Sequence, residues 1–344
     1  MTRSSLPHPH SMTHPRSTAH STTLRSLIAA AFLALTLALA GCGGTATSGE
    51  KPDPAGATRS VDTAFGPVEI PAAPQRAIAL EGGVGPLLGA DITPVATADG
   101  DYADAFLPEE YEKVKDLPLI LGADGVDFEK IASLQPDLMI GFVRGGKEEE
   151  LSAEAKAEWE KLNAIAPTVL IRSDGSSRTK DATLAMSEAL GDGEDAQKAK
   201  EAYETKAAEI KKEYADVLAE HTFAPMDYYE EVNVYSPISW PGDTLTDAGA
   251  KLTSVSADVQ DENATFLSAE QLGQVDDATV VLHEQTVDGE PGVGAQELQA
   301  LPTYKTLPAV EAGNDYGLDY FFADRYDTAL KSLESFENTL RELS

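Results

Sequence analysis

Short apolar runs alternate with helix-like amphipathic segments along most of the chain. The runs occupy 76–80, 93–98, 117–122, 137–142, 167–172, 232–236 and 278–284. Each run has the length of a buried strand, and the intervening segments have the spacing of short helices. This alternation predicts βα units and a mostly parallel sheet in each half of the chain, so the expected fold class is α/β.

One long amphipathic segment, 193–221, separates the two halves. It has no glycine or proline after Gly193, is rich in Ala, Glu and Lys, and places Tyr203, Ile210 and Leu218 on one face. This pattern favours one long helix between an N-terminal lobe at 63–192 and a C-terminal lobe at 222–344. A second amphipathic helix, with the apolar stripe of a helix packed on a sheet, is predicted at 327–343.

A helix-to-strand unit occurs twice in the chain. The two copies are VDFEKIASLQPDLMIG at 126–141 and FLSAEQLGQVDDATVV at 266–281. Each has a glutamate, Glu129 or Glu270, two positions after a capping residue, and apolar residues follow that glutamate at two and five positions. The helix dipole favours an acid there by about 0.3–1 kcal/mol, which accounts for either glutamate alone. The shared apolar frame predicts two structurally equivalent units and leaves their function open.

The N-terminal 41 residues have the features of an export signal. Arg3, Arg16 and Arg25 form a basic region without acids, and the apolar run 26–41 that follows is short for a membrane span. The run ends in LAGC, which resembles the bacterial lipobox, and Cys42 is the only cysteine in the chain. The pattern predicts a lipoprotein signal peptide at 1–41 with lipid on Cys42. An ordinary signal peptide or a membrane anchor with an incidental thiol is the alternative.

Composition and charge narrow the possible partners. The segment 42–62 is rich in Gly, Ser, Thr and Pro, which predicts a flexible tether between the lipid and the first lobe. We therefore expect an exported protein held at the outer face of the cytoplasmic membrane. The formal net charge of −32 becomes −35 once the three arginines of the signal are removed. So acidic a chain lacks the basic surface that nucleic acid or an anionic membrane surface requires of a partner.

The order of several motifs resembles a known family. After the lipobox come PQRAIAL, the unit at 126–141, LNAIAPTVL, the long helix, FLSAEQL and LPTYKTLPAVEAG. The order is similar to that of the class III periplasmic binding proteins that serve iron–siderophore, haem and vitamin B12 ABC importers. The resemblance covers 67–343.

The resemblance implies two Rossmann-like α/β lobes joined by one long helix, with a ligand cleft between the lobes. It also implies capture of an iron(III)–siderophore complex without catalysis and without an intrinsic cofactor, since the siderophore itself holds the iron. The expected partners are a dimeric permease with its ATPase, and the chain itself is expected to be monomeric. In this family one glutamate on each lobe docks into arginine pockets of the permease, which by position would be Glu129 and Glu270.

The cleft residues are predicted from the chemistry of a ferric chelate. Arginine forks suit its polarised oxygens, and tryptophan or tyrosine faces suit its apolar periphery. Loops at the carboxyl ends of the predicted strands supply such side chains. The candidates are Arg144, Trp240, Tyr102, Arg325, Tyr235 and His283.

Four of the six candidates also have a purely structural explanation. Arg144 can be a solvated loop cation, Trp240 can pack its own loop, His283 can be a hydrogen-bonding strand residue, and Arg325 can pair with nearby acids. The loop before Glu129 lacks an arginine that some hydroxamate-binding relatives carry. The segment GFVRGG has some likeness to vitamin B12 binders, so haem or cobalamin remains an alternative ligand.

Two other function classes have weaker support in the sequence. For an enzyme, EGGVGPLLGA misses the G-x-G-x-x-G spacing of a dinucleotide site, and no P-loop, G-x-S-x-G or H-E-x-x-H motif occurs. Beyond the signal only His221 and His283 remain for a histidine metal site. A structural or adhesive lipoprotein is the other alternative, and a response to ferric siderophores, haem or cobalamin would distinguish it from a binding protein.

Overall fold

In a computed structural model, which describes residues 57–98, 105–122, 125–145, 150–173 and 179–344, the chain is an α/β protein with two main sheets. The strands are β1 Thr58–Thr63, β2 Gly66–Pro71, β3 Ala77–Ala79, β4 Ala96–Thr97, β5 Leu121–Gly122, β6 Gly125–Val126, β7 Leu138–Arg144, β8 Thr168–Ser173, β9 Phe223–Tyr229, β10 Glu231–Tyr235, β11 Ala264–Leu267, β12 Val280–Gln285 and β13 Asp315–Asp319. The predicted fold class is confirmed.

Helices lie between most of these strands. They are α1 Val84–Gly89, α2 Pro108–Val114, α3 Phe128–Leu134, α4 Ala153–Ile165, α5 Thr179–Leu190, α6 Gly193–Glu213, α7 Ala215–Glu220, α8 Trp240–Asp247, α9 Val293–Ala300, α10 Pro308–Glu311 and α11 Tyr326–Glu342. Two short segments, Ala269–Val275 and Tyr304–Thr306, are 3-10 helices.

The N-terminal lobe is built on a four-stranded sheet in the order β4-β3-β7-β8, in which all neighbouring pairs are parallel. Its strands are apolar on both faces, and separate clusters of buried side chains lie against them. A parallel sheet covered on both faces requires such continuous apolar runs, and these are what the sequence contains at β7 and β8. Arg144 is the last residue of β7, at the carboxyl edge of this sheet.

The C-terminal lobe is built on a five-stranded sheet in the order β11-β10-β9-β12-β13. Strands β9, β12 and β13 are parallel, whereas β10 and β11 are antiparallel additions at one side. The central strand β9 is absent from the predicted elements because Pro225 and Asp227 interrupt its apolar pattern. In the sheet Asp227 is buried and accepts hydrogen bonds from Asn233 and Tyr235, which compensate for its burial.

The segment between the lobes is helical almost throughout, with one interruption. Helix α6 ends at Glu213 and α7 begins at Ala215, because Tyr214 leaves the helical conformation with φ −104° and ψ 24°. Helix α6 packs along α11, where Lys206 forms an ion pair of 2.8 Å with Glu337. The connection is therefore supported along its length by the last helix of the C-terminal lobe.

The repeated unit forms a helix start followed by a strand in both lobes. Asp127 caps α3 by accepting a hydrogen bond of 2.9 Å from the backbone nitrogen of Lys130. In the second copy the helix is wound as a 3-10 helix, and the Ser268 backbone nitrogen donates to Gln271 Oε1. Just before the following strands, Asp137 and Asp277 accept backbone hydrogen bonds from a neighbouring segment. The two units are therefore structurally equivalent.

The first strand begins earlier than the predicted boundary of the N-terminal lobe. Strand β1 starts at Thr58, so 58–62, which the sequence assigns to the tether, pairs with β2 in an antiparallel hairpin. Its alternating polar and half-buried residues lack the apolar run by which the other strands are recognised. The predicted signal peptide and Cys42 lie outside the described residues.

Candidate functional site

Arg144 and Trp240 come from different lobes and meet between them. The guanidinium carbon of Arg144 lies 5.4 Å from the ring centroid of Trp240 and 5.2 Å from that of Phe142. Trp240 is the first residue of α8, which Ser239 caps by accepting a hydrogen bond from Gly242. The end of β7 and the start of α8 therefore hold a cation against an aromatic face across the lobes.

Glu81 forms an ion pair with Arg144. It follows β3, the neighbour of β7 in the sheet, so both side chains project from the same carboxyl edge. The side chains are 50% and 39% exposed, respectively, which leaves them accessible to a molecule between the lobes. Glu81 balances the charge of Arg144 while the guanidinium keeps contact with Trp240.

Aromatic rings extend from Trp240 into the C-terminal lobe. The edge of Phe322 packs on Trp240 with ring centroids 5.7 Å apart, and Phe322 also contacts Tyr235 at 5.8 Å and Phe321 at 5.0 Å. Trp240 and Phe322 are half-buried, so they present ring surface, whereas Tyr235 and Phe321 are buried behind them. The arrangement forms an apolar wall beside the Arg144 guanidinium.

Tyr235 contributes its ring to this wall but not its hydroxyl. The hydroxyl donates to Asp227 Oδ2 at 2.9 Å, and Asn233 donates to the other oxygen of the same carboxylate at 2.6 Å. Burial, with the nearby Asp227 carboxylate, raises the pKa of Tyr235 above its ordinary value, and burial likewise raises the pKa of Asp227. The Tyr235 hydroxyl is therefore occupied by a hydrogen bond inside the C-terminal lobe.

His283 lies apart from the Arg144–Trp240 group. It is 5% exposed, with Nδ1 3.0 Å from the backbone oxygen of Glu284 and Nε2 3.1 Å from the Gln299 amide nitrogen. Asp315 is 3.4 Å from Nε2. The imidazole is thus surrounded by protein partners, and its predicted role as a ligand contact has no geometric support here.

Arg325 links the two lobes through a buried ion pair. It is 7% exposed, and its guanidinium donates to Glu110 of α2 at 2.7 Å and lies 3.2 Å from Asp327. Gly85 of α1 makes room for it, because a Cβ at that position would lie 2.0 Å from the guanidinium. The Arg325 guanidinium is therefore bound by acidic side chains of the protein itself, whereas the sequence predicts that it contacts the ligand.

Further polar contacts join the lobes beside the connecting helix. Lys180 of α5 forms an ion pair with Asp243 of α8, and the Tyr326 hydroxyl donates to Asp181 at 2.6 Å. A cavity of about 670 Å³ lies next to them, and none of the five predicted ligand residues within the described ranges lines it. Its lining residues are Lys180, Asp181, Tyr203, Glu204, Ala207, Ala208, Lys211, Pro237, Ile238, Asp243, Asp247, Gln260 and Tyr326.

Glu129 and Glu270 occupy matching positions in the two lobes. Each is the second residue of its helix, after Asp127 and Ser268 respectively, and each is exposed. Neither side chain belongs to the Arg144–Trp240 group, so the two glutamates form a separate pair of surface positions.

The remaining predictions concern Tyr102, a metal site and membrane-spanning helices. Tyr102 lies outside the described residues. Within the described ranges no cluster of three or more His, Cys, Asp or Glu side chains is arranged to hold a metal ion. No helix in the part of the chain that the structure describes is long and apolar enough to cross a membrane.

Two of the predicted ligand residues, Arg144 and Trp240, lie together between the lobes, but the sequence does not predict the aromatic wall beside them. Phe142, Phe322 and Glu81 are not among the predicted ligand residues. The signal for Phe322 was present in the aromatic segment 320–326 that follows β13. Its packing on Trp240 depends on a contact across 82 positions of sequence, which no local pattern reveals.

Comparison with known proteins identifies similar chains. Residues 80–320 match the family model described as "Periplasmic binding protein". The structure resembles that of the siderophore periplasmic binding protein from the fuscachelin gene cluster of Thermobifida fusca, with 34% identity and a TM-score of 0.69. That match covers 79% of this chain and 98% of the other.

Two Bacillus subtilis proteins are similar in sequence. The "Putative ABC transporter substrate-binding lipoprotein YhfQ" is 25% identical over 265 residues, which is 74% of this chain and 79% of that protein. The iron(3+)-hydroxamate-binding protein YxeB is 28% identical over 195 residues, or 56% of this chain and 55% of that protein.

Proposed function

The chain belongs to the periplasmic binding protein family, and from this premise we propose that it captures an iron(III)–siderophore complex for an ABC importer. Members of this family are binding components of transport systems, so the chain is not an enzyme. The Thermobifida protein and one Bacillus relative carry names that refer to siderophore or ferric hydroxamate binding, which supports the choice of ligand. No intrinsic cofactor is needed, because the siderophore supplies every ligand to the iron.

The observation that carries the proposal is the meeting of Arg144 and Trp240 between the lobes. The guanidinium can donate to the polarised oxygens that surround ferric iron, and the half-buried rings of Trp240 and Phe322 can cover the apolar periphery of the chelate. Two lobes with separate cores hold these groups in place before the ligand arrives, which reduces the entropy cost of binding.

The chelate class is tested by titration of the purified domain, residues 57–344, with ferric desferrioxamine B, ferrichrome, haem and cobalamin in a calorimeter. We expect a ferric siderophore to bind with one chelate per chain, as a monomeric binding protein requires. Saturable binding of haem or cobalamin alone would show that the ligand is not a siderophore. The proposal would be refuted if none of the four compounds bound and protein isolated from iron-starved cells also carried no chelate.

We also propose that the protein is exported and lipid-anchored through Cys42. The apolar run and LAGC at its end support this location, as does the name of one similar Bacillus protein, which calls it a lipoprotein. Replacement of Cys42 with serine is expected to abolish incorporation of radiolabelled fatty acid and removal of residues 1–41 without altering chelate affinity. Incorporation of labelled fatty acid into the Cys42→Ser protein would contradict the anchor.

Delivery requires a second surface, and Glu129 and Glu270 are the proposed contacts with the permease dimer. Both carboxylates are exposed on helix starts, one per lobe, so arginines of a partner can reach them without rearrangement of the backbone. The Glu129→Ala, Glu270→Ala double variant is expected to keep chelate affinity and lose uptake.

Glu154 provides a matched control for this test. It is likewise an exposed acid at the second position of a helix, after the capping residue Ser152. Glu154→Ala should transport normally. Normal uptake by the double variant would show that the docking assignment is wrong, while leaving chelate capture unaffected.

A further inference from the structure

Exposed apolar side chains flank both proposed docking glutamates. Among the described residues, six large hydrophobic side chains are notably exposed: Leu119, Leu121, Tyr229, Phe266, Val287 and Val293. Scattered exposed apolar residues are ordinary on a protein surface. Three of these six, however, lie on the two short segments that lead directly into the helices of Glu129 and Glu270.

In the N-terminal lobe, Leu119 and Leu121 are 43% and 49% exposed, whereas Ile120 between them is fully buried. This alternation turns both leucines to the same side of the segment. Two hydrogen bonds fix the segment to the first turn of α3: Lys130 Nζ donates to the Leu119 oxygen at 2.7 Å, and the Asp127 nitrogen donates to the Ile120 oxygen at 2.9 Å. The leucines are therefore held beside the helix start that carries Glu129.

In the C-terminal lobe, Phe266 is 56% exposed on β11, the edge strand of the five-stranded sheet. Leu267, the next residue, is buried and anchors the strand, and Ser268 then caps the helix of Glu270. Phe266 and Glu270 are thus separated by one rigid turn. Both lobes combine an exposed carboxylate with exposed apolar surface that no part of the described chain covers.

We propose that Leu119 and Leu121 with Glu129, and Phe266 with Glu270, form two mixed docking patches for the permease. This inference rests on the docking role proposed above. The expected occupant is a membrane permease whose arginines are bordered by apolar side chains. The acidic patches and the strongly negative chain complement such a basic surface. Apolar contact around each ion pair excludes water, so the pairs act in a medium of lower dielectric constant.

Site-specific photocross-linking in intact cells of the native host tests this directly, because it needs no knowledge of the ligand. The photoreactive residue p-benzoylphenylalanine replaces Leu121, Phe266, Ala132 or Ala219 in the full chain. Ala132 is exposed on α3 three positions after Glu129, so the label reports on this helix while the docking carboxylate stays in place. Ala219 is the control, since it is exposed at the end of α7, before β9 begins, whereas Phe266 lies level with the end of β9. We expect positions 121 and 266 to cross-link an ABC permease subunit with a yield at least about tenfold above position 219.

A second variant separates apolar contact from mere proximity. Phe266→Ser is expected to reduce the permease cross-link from position 121 roughly tenfold, and Phe266→Leu to preserve it, because leucine keeps an apolar surface. Cross-linking from position 132 without cross-linking from 121 or 266 would overturn the inference and leave the glutamate docking intact. Absence of a permease cross-link from position 132 as well would refute the docking proposal itself.

Discussion

Arg144 and Trp240 lie at the ends of different elements in different lobes, and their contact gives each a role that neither has alone. The chain has a second tryptophan, Trp159, whose surroundings differ. Its indole nitrogen donates to the Thr168 oxygen at 3.0 Å, and its ring stacks on Phe65 at 5.2 Å within the N-terminal lobe. The two tryptophans therefore provide a proposed ligand contact, Trp240, and an internal control, Trp159.

Ferric chelates should quench the fluorescence of Trp240 and leave Trp159 largely unaffected. We expect the Trp159→Phe variant to retain quenching and affinity, and the Trp240→Phe variant to lose most of the quenching. Trp240→Ala or Arg144→Ala should weaken binding at least about tenfold, equivalent to 1.4 kcal/mol, because each removes a direct contact. Quenching that disappears in Trp159→Phe instead would place the chelate elsewhere.

Arg325 is expected to stabilise the fold and not to bind the chelate. Removal of one partner from a buried ion pair leaves an uncompensated charge and typically costs about 3–5 kcal/mol. Arg325→Met should therefore lower the free energy of unfolding by an amount in this range, measured by urea denaturation. The Arg325→Met, Glu110→Gln double variant should lose less than the sum of the single variants, because the two side chains bond each other.

The opposite result for Arg325 would support the role first predicted from sequence. If Arg325→Met keeps its unfolding free energy but loses chelate affinity, the guanidinium contacts the ligand and the ion pair with Glu110 contributes little.

Among the elements, those with simple apolar patterns were predicted and those with compensated polar residues were not. Strands β7, β8 and β12 agree with the predicted runs. Strand β9 was not predicted, because a charged residue such as Asp227 is typical of a loop. Its burial in a strand is explained only by its hydrogen bonds with Asn233 and Tyr235. Pairing of Arg325 with acids nearby in the sequence is an alternative that the sequence offers, but its partner Glu110 is not predicted, since it lies 215 positions away. The pattern of neighbouring residues in the sequence does not show which distant residue will pair with a buried polar side chain in the folded protein.

The segment before α11 should make stability depend on pH. Burial raises the pKa of Asp324 to about 6, partly opposed by neighbouring Arg325. Because the folded state then binds this proton more tightly than the unfolded chain, the contribution is full below about pH 4 and is lost as the pH rises through about 6.

The Asp324→Asn variant removes this titration. We expect its free energy of unfolding to fall less than that of the wild type between about pH 4 and pH 7. Urea denaturation at several pH values provides the measurement. Identical pH profiles for the two proteins would show that Asp324 does not titrate in this range.

At the scale of the whole molecule, the lobes are joined by more than the connecting helix. Ion pairs Arg325–Glu110 and Lys180–Asp243 cross from one lobe to the other, and α6 packs along α11. The Arg144–Trp240 contact also crosses between the lobes. The molecule thus combines the Arg144–Trp240 group, the proposed chelate site, with one exposed glutamate on each lobe, the proposed contacts for delivery.

Recovery of the protein from iron-starved cells of its native host, followed by native mass spectrometry of the bound ligand, tests the central claim most directly. The account predicts one iron(III)–siderophore complex per chain, lost or strongly reduced in the Arg144→Ala, Trp240→Ala variant. Protein that carries haem, cobalamin or an unrelated metabolite, or a siderophore that remains fully bound to that variant, would contradict it.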